Sequence, residues 1–161
     1  MNAGKLEVIC GNDGAGKTAM ALGKALLALT EQKTVIVIQF LKGSQKGENL
    51  ETVKRLEPEL KIFRFEKSDA YFSELAGKAK REETVNIVNG LNYARKVLTT
   101  GECELLVLDE ALGLIDQGII DEEELSSILD CRGEADVIVT GKVLSSGLKQ
   151  LADRIEWVET R

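Results

Sequence analysis

Gly11-Asn12-Asp13-Gly14-Ala15-Gly16-Lys17-Thr18 fills every fixed position of the pattern G-x-x-x-x-G-K-[ST]. Ahead of it Leu6, Val8, Ile9 and Cys10 form a short apolar run, and from Lys17 onward Ala, Leu, Met and Lys dominate, all strong helix formers. Residues 5–29 therefore read as strand, glycine-rich loop and helix. The glycines let the backbone turn tightly, so that its N–H groups face into an anion-binding concavity. A helix starting near Gly16 adds unpaired N–H groups and a partial positive charge. Lys17 brings a full charge to a terminal phosphate, and the Thr18 hydroxyl is suited to magnesium. A bound nucleoside triphosphate is the expectation.

The chain around this stretch has 161 residues, enough for one domain, 1–161, with a sizeable core. Its net charge is −6 with no block of basic residues, which does not point to DNA or RNA as a partner. No apolar run approaches the roughly 20 residues of a membrane span, and the N-terminus lacks the pattern of a signal peptide, so a cytoplasmic protein is expected. The three cysteines, Cys10, Cys103 and Cys131, lie far apart without metal spacing and read as reduced, structurally idle thiols. There is no histidine. That excludes Ser-His-Asp triads, histidine-ligated zinc and histidine general bases, and leaves carboxylates, lysine, metal and bound substrate to carry any chemistry.

Residues 34–41, TVIVIQFL, are β-branched and almost wholly apolar, as in a strand covered on both faces of a parallel sheet. A polar loop, 42–48, follows. Loops at the carboxyl ends of parallel strands line the ligand crevice, which brings Gln39, Lys42 and Glu48 toward the phosphate loop, although a solvated turn fits the position equally. Residues 50–56 suit a short helix that Pro58 helps to stop. Residues 61–65 alternate as a third strand, toward an edge. The polar stretch 66–81 has no evident element. It holds Tyr71 and Phe72, an aromatic pair that fits either an anchor into the core or a contact for a flat ligand. Residues 82–99 form the clearest amphipathic helix, with Ile87, Leu91, Ala94 and Leu98 on one stripe and Gly101 as its C-cap.

Residues 103–110 run from four apolar positions, Leu105 to Leu108, into Asp109-Glu110. Beside a phosphate loop, paired acids at the tip of a buried strand are the second nucleotide motif, whose carboxylate holds magnesium; the plainer reading is a strand end with a helix-capping Asp. Asp121 and Glu124 have capping-box spacing, and the acid run 121–124 reads as a cap and solvated face. A buried strand at 136–141 is followed by Lys142 at its carboxyl end, then a short helix around Leu148, Leu151 and Ala152, then a last strand at 154–160. Strands alternating with helices give an α/β fold, a mostly parallel sheet with helices on both faces. The strand order does not follow from the sequence.

Taken together, these segments resemble the ATP:corrinoid adenosyltransferases. The resemblance covers nearly the whole length and rests on Gly11-Asn12 opening the loop, on residues 37–43 with Gly47-Glu48, on Leu106-Val107-Leu108-Asp109-Glu110, and on Val139-Thr140-Gly141 and Ala152-Asp153. It implies a P-loop NTPase-like (RecA-like) fold. It also implies a reaction in which Co(I) of a reduced corrinoid, cobalamin or a precursor, attacks the 5′ carbon of ATP and triphosphate leaves. In that family ATP lies with its triphosphate reversed. The resemblance further implies Mg²⁺ or Mn²⁺, a homodimer and a reductase supplying Co(I). Carried onto this chain, Lys17 and the N–H groups of residues 11–18 hold triphosphate and Thr18 and Glu110 hold metal with Asp109 close by. Lys17 and Glu110 are then the expected catalytic residues. Gln39, Lys42 and Lys142 are expected to contact substrate, and Tyr71 and Phe72 are the candidates for the lower corrin face. The chain departs from the usual family loop Gly-Asn-Gly-Lys-Gly-Lys-Thr-Thr at Asp13, Gly14, Ala15 and Ala19, and has Lys142 where the family has arginine. Two other functions stay open on the residues alone: a P-loop kinase or ATPase acting on the γ-phosphate, and a non-catalytic binder of ATP or corrinoid.

Overall fold

The computed structural model of the chain describes residues 3–43 and 50–161. Six strands form one sheet: β1 (Leu6–Gly11), β2 (Val35–Gln39), β3 (Leu60–Phe63), β4 (Leu105–Asp109), β5 (Asp136–Gly141) and β6 (Arg154–Val158). Their spatial order is β3-β2-β4-β5-β1-β6, and every neighbouring pair is parallel. The expected α/β fold with a parallel sheet is therefore present, and its third strand is an edge strand.

The apolar runs explain the arrangement. All five residues of β2 and of β4 are buried, as strands covered on both faces must be. Two cores result. Helix α1 (Lys17–Thr30) and the short α2 (Leu50–Val53) cover one face. The buried side of α1 is Ala21, Ala25 and Ala28, small enough for the helix to lie close on Ile9, Val37, Val107 and Ile138. The other face is covered by α3 (Gly77–Thr100), α4 (Ala111–Asp116), α5 (Glu122–Leu129) and α6 (Ser146–Leu151). Ile87, Leu91, Leu112, Leu125 and Leu148 close that larger core against Val8, Ile36, Leu106 and Val139. Connections that run toward β3 use the α1 face and those that run back toward β6 use the other, as right-handed crossovers require. Among the described residues no helix is long and apolar enough to cross a membrane.

The structure moves several boundaries. Strand β2 ends at Gln39 and not Leu41, because Leu41 turns into the left-handed region with φ 58°. Strand β3 ends at Phe63, and the next residues leave the sheet to make side-chain contacts described below. Strand β6 stops at Val158. Helix α3 begins five residues before the predicted 82, since Lys78, Ala79, Lys80 and Arg81 form a fully exposed first turn without an apolar stripe. Helix α4 has no counterpart in the sequence reading, since six residues are too few to show a period. Gly141 makes room for it: a Cβ there would lie 2.2 Å from that of Leu112. Asp121 caps α5, accepting the Glu124 N–H at 2.8 Å. Its neighbour Glu122 leaves the expected solvated face and accepts the Leu148 N–H at 3.0 Å, capping α6 from outside. Cys10 and Cys103 are buried free thiols and Cys131 is a partly buried one. Burial pushes the Cys103 thiol up to about 11, which keeps it unreactive.

Candidate functional site

The carboxyl ends of β1, β2, β4 and β5 meet at the floor of a cleft of about 1360 Å³. Loops leave β1 and β2 toward the α1 face and leave β4 and β5 toward the other, so the strands part there as at a switch point. Strand β1 delivers the phosphate loop. Gly14 and Gly16 carry φ of 77° and 96°, which glycine alone adopts at no steric cost, and α1 opens at Lys17 directly after them. Gly11 is where β1 meets β6; a Cβ on it would lie 2.6 Å from the Val158 carbonyl oxygen. The Asn12 carbonyl accepts the Ala15 N–H at 3.1 Å and closes the loop on itself. Asp13, Gly14, Gly16, Lys17 and Thr18 line the cleft.

Asp109 is the centre of the floor. It is 1 % exposed, and its charge is met from four sides. The Thr18 hydroxyl lies 2.9 and 3.1 Å from its two oxygens. The Gln39 amide donates at 3.2 Å, the Thr140 hydroxyl at 2.8 Å, and the Lys42 ammonium lies 2.7 Å from Oδ2. A buried carboxylate is tolerated only with such compensation. Lys42 also donates to the Thr18 hydroxyl at 3.0 Å. Glu110, the next residue, stands at φ 63° with its N–H bonded to the Thr140 hydroxyl at 2.8 Å. That turn aims its carboxylate at Lys17, whose ammonium is 2.9 Å from Oε1. The contact is an ion pair without hydrogen-bond angles, so the donors of this buried ammonium are otherwise unpaired among the described residues. The two acids of the floor are thus each held by one lysine.

The rim is built differently. Phe72 is buried in the larger core, with the Lys80 ammonium 5.4 Å from its ring centre. Tyr71 is 37 % exposed, and its ring packs on Gly43, where a Cβ would come within 2.7 Å of it. The aromatic pair is therefore split: Phe72 is an anchor that still reaches the cleft wall, and Tyr71 is a free cleft face. Asp116, Gln117, Lys142 and Val143 line the same cleft. Loss of solvent pushes the Asp116 carboxyl above its ordinary range, against the pull of Lys142 and Lys17.

A model of one protein family, ATP:corrinoid adenosyltransferase BtuR/CobO/CobP, matches residues 2–160. The chain belongs to the ATP:corrinoid adenosyltransferase family. A curated relative, the corrinoid adenosyltransferase CobA of Salmonella typhimurium, is 29% identical over 154 residues, which cover 94% of this chain and 74% of that protein.

Of the residues expected to serve this family's substrates, Asp13, Gly14, Gly16, Lys17, Thr18, Lys42, Tyr71, Phe72, Glu110 and Lys142 share the one cleft. Gln39 and Asp109 lie under its floor, joined to each other. Gly11, Asn12 and Ala15 shape the loop from behind. Glu48 and Gly47 fall outside the described residues. The sequence reading missed Thr140 as the hydroxyl that joins Asp109 to Glu110. It also missed Arg64 and Glu66. The Arg64 guanidinium donates to the Gln39 amide oxygen at 2.8 Å, which turns the amide N–H₂ toward Asp109. The Glu66 carboxylate accepts the Leu41 N–H at 2.8 Å and holds the left-handed turn that points Lys42 inward. Burial, together with the charge of Glu83, pushes the Glu66 carboxyl upward, and the Leu41 N–H opposes this. The only local signal for Arg64 and Glu66 was charge just past the carboxyl end of a strand.

Proposed function

We propose that the protein transfers the 5′-deoxyadenosyl group of ATP to Co(I) of a reduced corrinoid, a cobalamin or a precursor. The Co(I) electron pair forms the Co–C bond, the C5′–O bond breaks, and triphosphate leaves with that bonding pair, cobalt becoming formally Co(III). The observation that carries this reading is the shape of the cleft. Lys17, Thr18 and Lys42 line it beside the glycine-rich loop, a set that suits phosphate, and its volume of about 1360 Å³ exceeds the roughly 300–1,000 Å³ of a single-ligand pocket. There is room for ATP and for a second, large partner, and the exposed Tyr71 ring offers that partner a flat apolar face.

The chemistry fits the residue inventory. Co(I) is a nucleophile without help, so no protein base is needed. Both floor acids are engaged by lysines and neither stands free to take a proton from a phosphoryl acceptor. The residues' work is to position and to stabilise charge on the leaving triphosphate. Lys17, Lys42 and the loop N–H groups supply that, with the ribose 5′ carbon turned outward toward the corrinoid. Thr18, Asp109 and Glu110 are an all-oxygen donor set, which suits Mg²⁺ or Mn²⁺, and the buried Asp109 already sits at a cation position. When bound, the metal neutralises phosphate charge. Lys142 and the Asp116–Gln117 rim contact the polar edge of a substrate, and the exposed Tyr71 ring faces the corrin ring while Phe72 anchors the segment in the core. On the same reading the chain acts as one domain in a cytoplasmic homodimer fed with Co(I) by a reductase.

The test is anaerobic incubation with ATP, Mg²⁺ and chemically reduced cobalamin, followed by the visible spectrum. A light-sensitive alkylcobalamin spectrum that grows only with both substrates supports the reading. Binding of ATP and cobalamin without any such spectrum would make the protein a carrier.

A further inference from the structure

The two lysine–acid pairs of the floor are not equivalent. Among the described residues the Lys17 ammonium meets Glu110 alone. Lys42 meets two partners: its ammonium is 2.7 Å from Oδ2 of Asp109, which is 1 % exposed where Glu110 is 21 %, and also 3.0 Å from Thr18 Oγ1. Thr18 gives its proton toward Asp109 and receives Lys42 on its oxygen. A cation bridging a P-loop hydroxyl and the acid of the second motif is the arrangement a divalent metal adopts in nucleotide sites. Here a side-chain ammonium makes that bridge.

The backbone is shaped to put it there. Lys42 is flanked by two left-handed residues, Leu41 at φ 58° and Gly43 at φ 52°. Leucine is an unusual occupant of that region, and it is held by the Glu66 carboxylate on its N–H. Gly43 lies under the Tyr71 ring, which no larger residue would permit.

We propose that Lys42 is a built-in cation occupying the place of the divalent metal between Thr18 and Asp109. Metal entry and transfer of the Lys42 ammonium onto the triphosphate are then a single exchange. Lys42 neutralises the buried Asp109 while the cleft is empty of nucleotide. Triphosphate brings the negative charge that draws the ammonium away, and the metal takes over Asp109 and Thr18. Free metal is therefore excluded from the nucleotide-free protein and enters with the triphosphate. This rests on the reading above that Thr18 and the floor acids hold a divalent metal.

The experiment is Mn²⁺ titration followed by the electron paramagnetic resonance signal of free Mn²⁺, with and without inorganic triphosphate. Lys42→Met and Lys42→Gln are compared with the wild type. Lys142→Met removes the same charge from the same cleft without touching Asp109 or Thr18. Without triphosphate, both Lys42 variants should bind Mn²⁺ at least tenfold more tightly than wild type, and Lys142→Met within twofold of it. Triphosphate should tighten Mn²⁺ binding to wild type far more than to the Lys42 variants. Equal or weaker Mn²⁺ binding by the Lys42 variants overturns the exchange, as does an equal gain in Lys142→Met, which would make it a general field effect. Circular dichroism checks folding, and loss of fold in both Lys42 variants would make the pair structural and also overturn it. If triphosphate fails to draw Mn²⁺ into any of the proteins, the metal reading itself falls. If it succeeds while the Lys42 gain is absent, only the exchange falls.

Discussion

Replacing Thr140 by valine removes one hydroxyl and almost no volume, and the structure makes that hydroxyl the hinge of the second nucleotide motif. Thr140 is fully buried at the end of β5. Its hydroxyl donates to Asp109 Oδ1 at 2.8 Å and accepts the Glu110 N–H at 2.8 Å. The first is a hydrogen bond to a buried charge, with a net value of about 1.5–3 kcal/mol, and the second leaves an amide unpaired at a cost of about 1–3 kcal/mol. Both run through one oxygen, so they do not add in full; Glu110 is also near enough to the cleft for water to replace part of the second. A loss of about 3 kcal/mol follows, which for a chain of this length lowers Tm by roughly 6–12 °C. Thr140→Ser keeps the hydroxyl and should lose less than half as much. The assay is denaturant and thermal unfolding of the three proteins, with triphosphate binding measured by calorimetry. The valine variant should also bind triphosphate more weakly, because the left-handed Glu110 no longer holds its place opposite Lys17. Valine and wild type unfolding within about 0.5 kcal/mol of each other, or serine as damaging as valine, would refute the role given to this hydroxyl.

Lys17→Ala should weaken triphosphate binding by about 2 kcal/mol, roughly 30-fold, while shifting Tm little, since the Glu110 it leaves behind is partly solvated; calorimetry and a melting curve read both. Asp13→Gly removes an exposed acid from the cleft and should tighten triphosphate binding several-fold at low salt. The gain should fade as salt is added, given a Debye length of about 10 Å at 0.1 M, and no gain at any salt would mean that the side chain faces away. Glu66→Gln keeps an acceptor for the Leu41 N–H but cannot ionise. Because the Glu66 carboxyl is pushed upward in the fold, the wild type loses stability as pH rises through that raised value, and the loss is absent below the ordinary carboxylate range. The variant should therefore gain Tm over wild type as pH goes from acid to neutral, and a pH-independent difference would contradict the burial argument.

What the sequence disclosed and what it hid follow one physical line. The loop 11–18 and the pair Asp109-Glu110 are local patterns, each set by strand, turn and helix within a dozen residues, and both stand where expected. The runs 34–41 and 105–108 read as buried strands, and the strands 35–39 and 105–109 found there are buried at every position. Arg64 and Glu66 could not be read, because their contacts, to Gln39 and Leu41, exist only once β3 lies beside β2. Thr140 acquires its role through β5 packing beside β4, a neighbour relation set by strand order. Tyr71 and Phe72 sit side by side in sequence yet face differently, since a short 3₁₀ turn begins between them. No periodicity spans two residues, so no pattern could have separated the core ring from the cleft ring.

On the proposed function the phosphate loop holds a leaving group and not a phosphoryl group in transfer. Anion chromatography of the products formed from ATP and Co(I) cobalamin tests it most directly. Intact triphosphate should appear in step with the alkylcobalamin spectrum, one for one, and none should form without corrinoid. ADP and phosphate formed at a rate indifferent to corrinoid would contradict it and make the cleft that of an ordinary P-loop phosphohydrolase.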